Sequence, residues 1–340
     1  MNARHALSQN LADRMRMEIV RFDLGAAEDL IFANAAECYA MLAEEDDDYS
    51  IVGNTRFGGA PDLPNVMNWP CTGDPNDGSS RFSNFIAQIN FEELPPLASA
   101  RPLPQHGILF LFLRKIECAA EPVVLDGLYF DGNPCDLRRR DPPDIERMCN
   151  DDLTALKPVR VRGVPAVSLA SFRKSFRETV ARLAGSDGEM RMIEFEAALR
   201  NDHQIGQVLG FANAADSRQN LYRQVHLGRV GQRDLIFNDY WESMAEYEAC
   251  LEKCRSSNKE WQRTRLVERY EEMRPGVTWL TANQEAIAKS VAEWRLLCRI
   301  DSNSAMDFSI LDSDPLYAFI RNPELARGDF SNLAGEVTQG

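Results

Sequence analysis

Two short apolar segments near opposite ends of the chain carry the same pattern, and that repetition constrains the fold more than anything else in the sequence. Phe85-Ile-Ala-Gln-Ile-Asn90 matches Leu296-Leu-Cys-Arg-Ile-Asp301 by residue type, each closing on Ile followed by Asn or Asp. Each is followed by a turn and a second apolar run containing aromatics, Ile108 to Leu113 in one case and Leu316-Tyr-Ala-Phe-Ile320 in the other. Short runs of this composition, bounded by turn residues such as Pro104-Gln105-His106-Gly107, are expected as buried strands. Their recurrence points to duplication of one supersecondary unit. Chance similarity of two apolar strands is the alternative.

The chain between and around these runs is mixed. Leu11, Met15 and Ile19, then Leu30, Asn34, Cys38 and Leu42, recur at helical spacing, so the first 45 residues or so are expected to be helical. The acidic run Glu44 to Asp48 ends that pattern and is expected as a solvated linker, since adjacent carboxylates repel one another. From Ile51 onward Gly53, Gly58, Gly59, Pro61, Pro64 and Pro70 punctuate short apolar segments, a composition for turns and strands. A polar excursion rich in Pro, Asp and Arg covers 131–157, and its Arg138 to Arg140 run is read as a solvated loop. Val159 to Leu169 resumes strand composition.

Ser171 is placed to cap a helix whose apolar face is Phe172, Phe176, Val180 and Leu183. A short helix covers Met192 to Arg200, and Tyr240, Met244, Tyr247, Leu251 and Cys254 give an amphipathic helix over 239–256. A second helix passes through Trp261, Val267 and Tyr270, Pro275-Gly276 breaks the pair, and Thr281 with Gln284 has the spacing of a capping box for a helix leading to Trp294. The helical hairpin reads as an insertion. The resulting division is 1–48 helical, 49–170 a first β-rich module, 171–290 helical and connecting, and 291–340 a second β-rich module packed on the first.

With 340 residues, 52 acidic against 38 basic side chains and a formal charge of -14, the long-range field repels phosphate backbones and anionic membranes. Nucleic acid and membrane are therefore not expected as partners, whereas a basic protein partner is compatible. Arg4, Asp13, Arg14, Arg16 and Glu18 interrupt any apolar span at the amino end, so a cytoplasmic protein is expected, with its eight cysteines reduced.

An ordered set of residues resembles one known family: Arg56-Phe-Gly-Gly-Ala-Pro-Asp-Leu-Pro64, Trp69-Pro70, Phe85 to Asn90, then Leu103-Pro104 and Gly107-Ile-Leu-Phe110. Weaker matches follow at His203 with Leu209-Gly210-Phe211, and from Trp294 through Leu316-Tyr317 to Phe330-Ser331. Together they are similar to the YwqG-like family, uncharacterised bacterial domains of unknown function. The resemblance implies an α+β protein with a β-roll-like core of two pseudo-repeated β-rich modules, peripheral helices and the helical-hairpin insertion, and it implies no activity. An immunity or antitoxin-like role is a family association only. The second module departs from the family pattern at Arg299, where Gln is expected, and at Phe308-Ser309 and Pro315.

Residue chemistry nominates six candidate ligand-binding positions, Arg56, Trp69, Gln88, Asn90, His203 and Asp301, each with a structural alternative. Gln88 and Asn90 share one strand face and can hold a ligand jointly or bond a neighbouring loop. Trp69 can wall a ligand site or pack in the core. His203, beside Asp202 and Gln204, offers an imidazole, a side-chain type suited to proton transfer or ligand binding, and can equally serve a turn. Gly58-Gly59 lacks a P-loop lysine and reads as a turn. Four histidines without a His-Glu-x-x-His pattern, and Cys250 with Cys254 on one helical face, give no metal site and no cofactor. No catalytic motif emerges. The leading expectation is a non-catalytic protein-binding module; the second is an enzyme or binder acting on a small molecule, with Gln88, Asn90, His203 and Asp301 meeting in a cleft between the modules.

Overall fold

The computed structural model of the chain describes every residue except 1–6, 77, 101, 116–122, 172, 214–219, 233–242, 312–313 and 339–340. Helix at the amino end extends only as far as Ala33. Gln9–Arg21 (α1) buries Leu11, Met15 and Ile19 on one face, and Glu28–Ala33 (α2) buries Ile31. Ala35–Asp46 is a strand (β1), which corrects the helical reading of Cys38 and Leu42. A spacing of four satisfies both periods, because it is also an even number of strand residues. Cys38, Ala40 and Leu42 pack on one side of β1, while Tyr39 and Met41 enter the core on the other.

The remaining strands are Arg56–Phe57 (β2), Asp62–Pro64 (β3), Asn84–Asn90 (β4), Ile108–Lys115 (β5), Val124–Phe130 (β6), Leu137–Arg139 (β7), Val159–Leu169 (β8), Gln204–Val208 (β9), Trp294–Ile300 (β10), Leu316–Arg321 (β11) and Ala334–Val337 (β12). Among the described residues, ten of them form one antiparallel sheet in the order β12-β11-β10-β9-β1-β8-β2-β4-β5-β6, and β3 pairs with β7 apart from it. Long β1 and β8 occupy the middle, joined from Ala35–Leu169 to Asp46–Val159. Val123, just before edge strand β6, bridges Gly335 of the other edge strand β12, and among the described residues the sheet does not close. Glycine permits that approach: a Cβ on Gly335 would lie 2.6 Å from the Val123 side chain.

One face of the sheet supplies the main core. Ile86, Ile89, Leu109, Leu111 and Leu113 from one flank meet Leu297, Ile300, Leu316, Ile320 and Phe330 from the other. Truncating a fully buried leucine such as Leu109 typically costs about 2–5 kcal/mol, so this shared interior ties the flanks together. On the opposite face of the β4–β5 flank, Trp69, Phe82, Leu137 and Met148 cover Phe85, Phe110 and Phe112. A third cluster joins α1, α2, Lys174–Ala184 (α3) and Gly188–Leu199 (α4) to Val167 and Leu169 of β8.

Several local expectations are corrected. Ser171 does not cap α3, whose first turn is preceded by Arg173; its hydroxyl binds the Glu196 carboxylate instead. Phe172 lies outside the described residues. Glu44 to Asp48 is not a free linker: Glu44–Asp46 completes β1, Glu44 pairs with Arg160 and Arg162, and Asp47 is buried. Arg138 to Arg140 is tied down, with Arg139 donating to the Tyr49 carbonyl and Arg140 to that of Met67.

The chain divides into two compact units, 1–221 with 294–340, and 222–293. The second contains Leu221–Arg229 (α5) from Tyr222 onward, Met244–Arg255 (α6), Val267–Ala282 (α7) and Gln284–Val291 (α8). Ser243 caps α6 by accepting from Glu246 N at 3.2 Å, and residues 239–242 of the expected helix lie outside the described residues. Pro275 does not end α7, which runs through it. An interior proline costs roughly 3 kcal/mol, and burial of Val277 against Tyr247 and Leu251, and of Leu280 against Leu227 and Ile287, offsets it. No Thr281 capping box forms, since the hydroxyl turns back to the Val277 carbonyl, and Trp294 begins β10. A short Asn322–Ala326 helix (α9) follows β11 in the first unit.

Candidate functional site

Arg56 is the side chain on which the nominated residues of β2 and β4 converge. It stands on β2, opposite Gln88 of β4, on the sheet face away from the main core, and is wholly buried. A buried guanidinium demands acid partners. Asp62 Oδ2 lies 2.6 Å from Nη2 and Asp47 Oδ1 3.6 Å from Nη1, while the Tyr49 ring sits 4.6 Å from the guanidinium carbon. Asp62 Oδ2 also accepts from Gln88 Nε2 at 3.0 Å and from Gly53 N at 2.9 Å.

Gln88 is fully engaged: its amide nitrogen also reaches the Asn54 carbonyl at 2.7 Å, and its oxygen accepts from Asp62 N at 2.9 Å. Asn90 donates to the Gly53 carbonyl at 2.9 Å and caps the turn after β4 by accepting from Glu92 N. Gly58 and Gly59 bring the chain back at φ +71° and +69°, where a side chain is strained, and a Cβ on Gly58 would lie 2.2 Å from the Lys157 carbonyl. Their amides bond the Ile86 and Leu156 carbonyls, which agrees with the turn reading.

Asp47 links this network to the surface. It accepts from Asn54 Nδ2 and from Tyr49 N, both at 2.6 Å. Around it Glu45, Asp46, Asp47, Asp48, Ser50, Ile51, Asn54 and Arg160 line a recess of about 150 Å³. Hydrogen bonds from Ser50 hold the Asp48 carboxyl below the usual carboxylate range. Asn54 is 2% exposed and its Oδ1 has no hydrogen-bond partner among the described residues, while Ile51 and Val52 beside the recess are 42% and 50% exposed.

Trp69 is buried against Phe112 and donates its indole N–H to the Ser83 carbonyl at 2.8 Å, so it packs rather than walling a pocket. His203 is an exposed turn residue with φ +58°, its carbonyl accepting from Ala43 N. Asp301 follows β10 and pairs with Arg299 at 2.8 Å and Arg200 at 3.2 Å. Among the described residues Gln88 and Asn90 share no hydrogen-bond or ion-pair partner with Asp301, and four strands lie between β4 and β10 in the sheet order, so the three are not gathered at one site. Arg56, Gln88 and Asn90 are brought together; Trp69, His203 and Asp301 stand elsewhere.

Sequence reasoning missed Asp47, Asn54 and Asp62, and on the other flank Gln207. Gln207 of β9 stands opposite Arg299 of β10, and its amide donates to the Leu209 carbonyl at 2.7 Å. A glutamine midway along an apolar strand was the available signal. Among the described residues no group of three His, Cys, Asp or Glu side chains is arranged to hold a metal ion, and no helix is long and apolar enough to cross a membrane. The seven described cysteines are free thiols; Cys118 lies outside the described residues. A family model described as Domain of unknown function (DUF1963) matches residues 55–337, and no curated protein matches the chain.

Proposed function

From the premise that this chain belongs to the DUF1963 family, whose description assigns no activity, we propose that it is a non-catalytic protein-binding module that takes a basic side chain of its partner into the acidic recess at Asp46–Asp48. The observation that carries this reading is the recess itself, acid-rimmed, flanked by exposed Ile51 and Val52, with Asn54, whose side-chain Oδ1 has no hydrogen-bond partner among the described residues, in its lining. A guanidinium or ammonium supplies donors to carboxylates and amide oxygen, and its stem covers the aliphatic rim. Arg56, Gln88 and Asn90 act beneath it as the frame that fixes Asp47 and Asn54.

The same reading keeps the sheet as a β-roll-like scaffold of two copied flanks, in the manner of the YwqG-like domains. What supports it is the strand order: β2, β4, β5 and β6 extend from β8 as β9, β10, β11 and β12 extend from β1. At matching places one flank opposes Arg56 to Gln88 and the other Gln207 to Arg299, the same two residue types exchanged across the strand pair. A cytoplasmic location, expected from the charged amino end, and an immunity-like role, which rests on the sequence resemblance alone, accord with this reading.

The test is calorimetric titration with a hexa-arginine peptide, with hexa-glutamate as the control. Wild type binds only the basic peptide, and Asp46→Asn/Asp48→Asn weakens it at least about tenfold, as loss of charged partners predicts. Equal affinity for wild type and the double variant places binding elsewhere and removes the recess from the proposal.

A further inference from the structure

The unit 222–293 carries a surface unlike the rest of the chain. Between Lys253 and Arg269 stand six basic and two acidic side chains, in a protein whose net charge is -14. Lys253, Arg255, Lys259, Arg263, Arg265 and Arg269 are all exposed. In their midst Trp261 is 53% exposed, immediately before a π-helical turn at Gln262–Leu266 that leads into α7. Arg255 is engaged by Glu271 at 2.6 Å and Arg263 by the Ser257 carbonyl, whereas among the described residues no acidic side chain pairs with Lys259 or Arg265.

An exposed tryptophan within a run of exposed cations suits an acidic surface that also offers aliphatic contact. The recess segment of this same chain has that chemistry, with the Asp46 and Asp48 carboxylates next to exposed Ile51 and Val52. We propose that the chain self-associates, the Lys259–Arg265 tip of one molecule docking on the Asp46–Val52 segment of a second. Lys259 and Arg265 meet Asp46 and Asp48, and Trp261 covers Ile51 and Val52. This rests on the recess reading above and names its basic partner. The contact joins two different patches, so it is head-to-tail: repeated, it builds a ring if the rotation closes and an open chain if it does not.

Sedimentation velocity of the full chain across a concentration series, at low and high salt, tests it. Association rises with concentration and falls with salt, because exposed charges within the contact are screened. Trp261→Ala weakens it about tenfold or more, as truncation of an interface tryptophan does. Lys259→Glu/Arg265→Glu and Asp46→Lys/Asp48→Lys each leave monomers, and mixing the two variants restores association, because the exchanged tip then faces the exchanged recess. A wild type that stays monomeric, or association that neither exchange disturbs, overturns the proposal. If a monomeric wild type still binds hexa-arginine through Asp46 and Asp48, self-association falls and the recess reading stands; if it binds neither, both fall.

Discussion

Replacing Arg56 by Met removes the one cation from a buried cluster that holds two carboxylates. The side chain has no exposed surface, and neither does its closer partner Asp62. Loss of one partner of a buried ion pair costs about 3–5 kcal/mol, because the remaining charge stays desolvated without compensation. Asp62 keeps its Gln88 and Gly53 bonds and Asp47 keeps Asn54 and Tyr49, which places the expected loss toward the lower end of that range. For a unit of this size each kcal/mol moves the thermal midpoint by roughly 2 °C, so a loss of about 3–4 kcal/mol in Arg56→Met lowers it by about 6–8 °C. Urea unfolding followed by fluorescence and far-ultraviolet dichroism gives the free-energy loss directly. Adding Asp62→Asn removes the orphaned charge, and the double variant is less destabilised than the two single losses combined, by about 1–3 kcal/mol. A loss below about 1 kcal/mol for Arg56→Met, the range of an exposed pair, or strict additivity in the double variant, refutes the argument that this cluster is a coupled, desolvated unit.

Two further outcomes follow from other buried groups. Burial raises the Glu196 carboxyl above its ordinary 4.5, a rise only partly opposed by the Ser171 hydroxyl, so the folded state holds this proton more tightly than the unfolded state. Its contribution to stability is therefore present below the unfolded pKa and is lost as pH rises through the folded one; Glu196→Gln, which keeps an acceptor for Ser171, flattens stability across that window in a pH series of urea midpoints and is the more stable form above it. Burial also pushes the Cys38 and Cys298 thiols up to about 12, so in the native protein iodoacetamide modifies exposed Cys135 first and leaves these two unmodified until unfolding, as peptide mass spectrometry of timed samples reads out.

The strands Asn84–Asn90, Ile108–Lys115 and Val159–Leu169 were legible because short segments rich in β-branched, aromatic and other apolar residues between turn residues favour extended structure. β1 was not, because its four-residue spacing fits helix and strand alike and its identity is decided by partners far along the chain. The same holds at the site. Gln88 and Asn90 on one face were readable from alternation, but the acids that complete the cluster arrive from the start of β3 and from the residue after β1. An arginine inside an apolar, glycine-rich stretch does signal a buried acid, and Asp62 lies in that stretch. Proline was over-read at Pro275, where packing of Val277 and Leu280 outweighs the lost backbone bond.

The placing of β1 also sets the order of events as the polypeptide is made. Ala35 waits for Leu169, and Tyr39 for Val208, before either has its neighbour, so the centre of the sheet can assemble only after the β4–β5–β6 flank has been synthesised. Until then a strand with two unsatisfied edges is held on the nascent chain, and a ribosome stalled before codon 169 presents a template for adhesion to other chains rather than half of a finished protein.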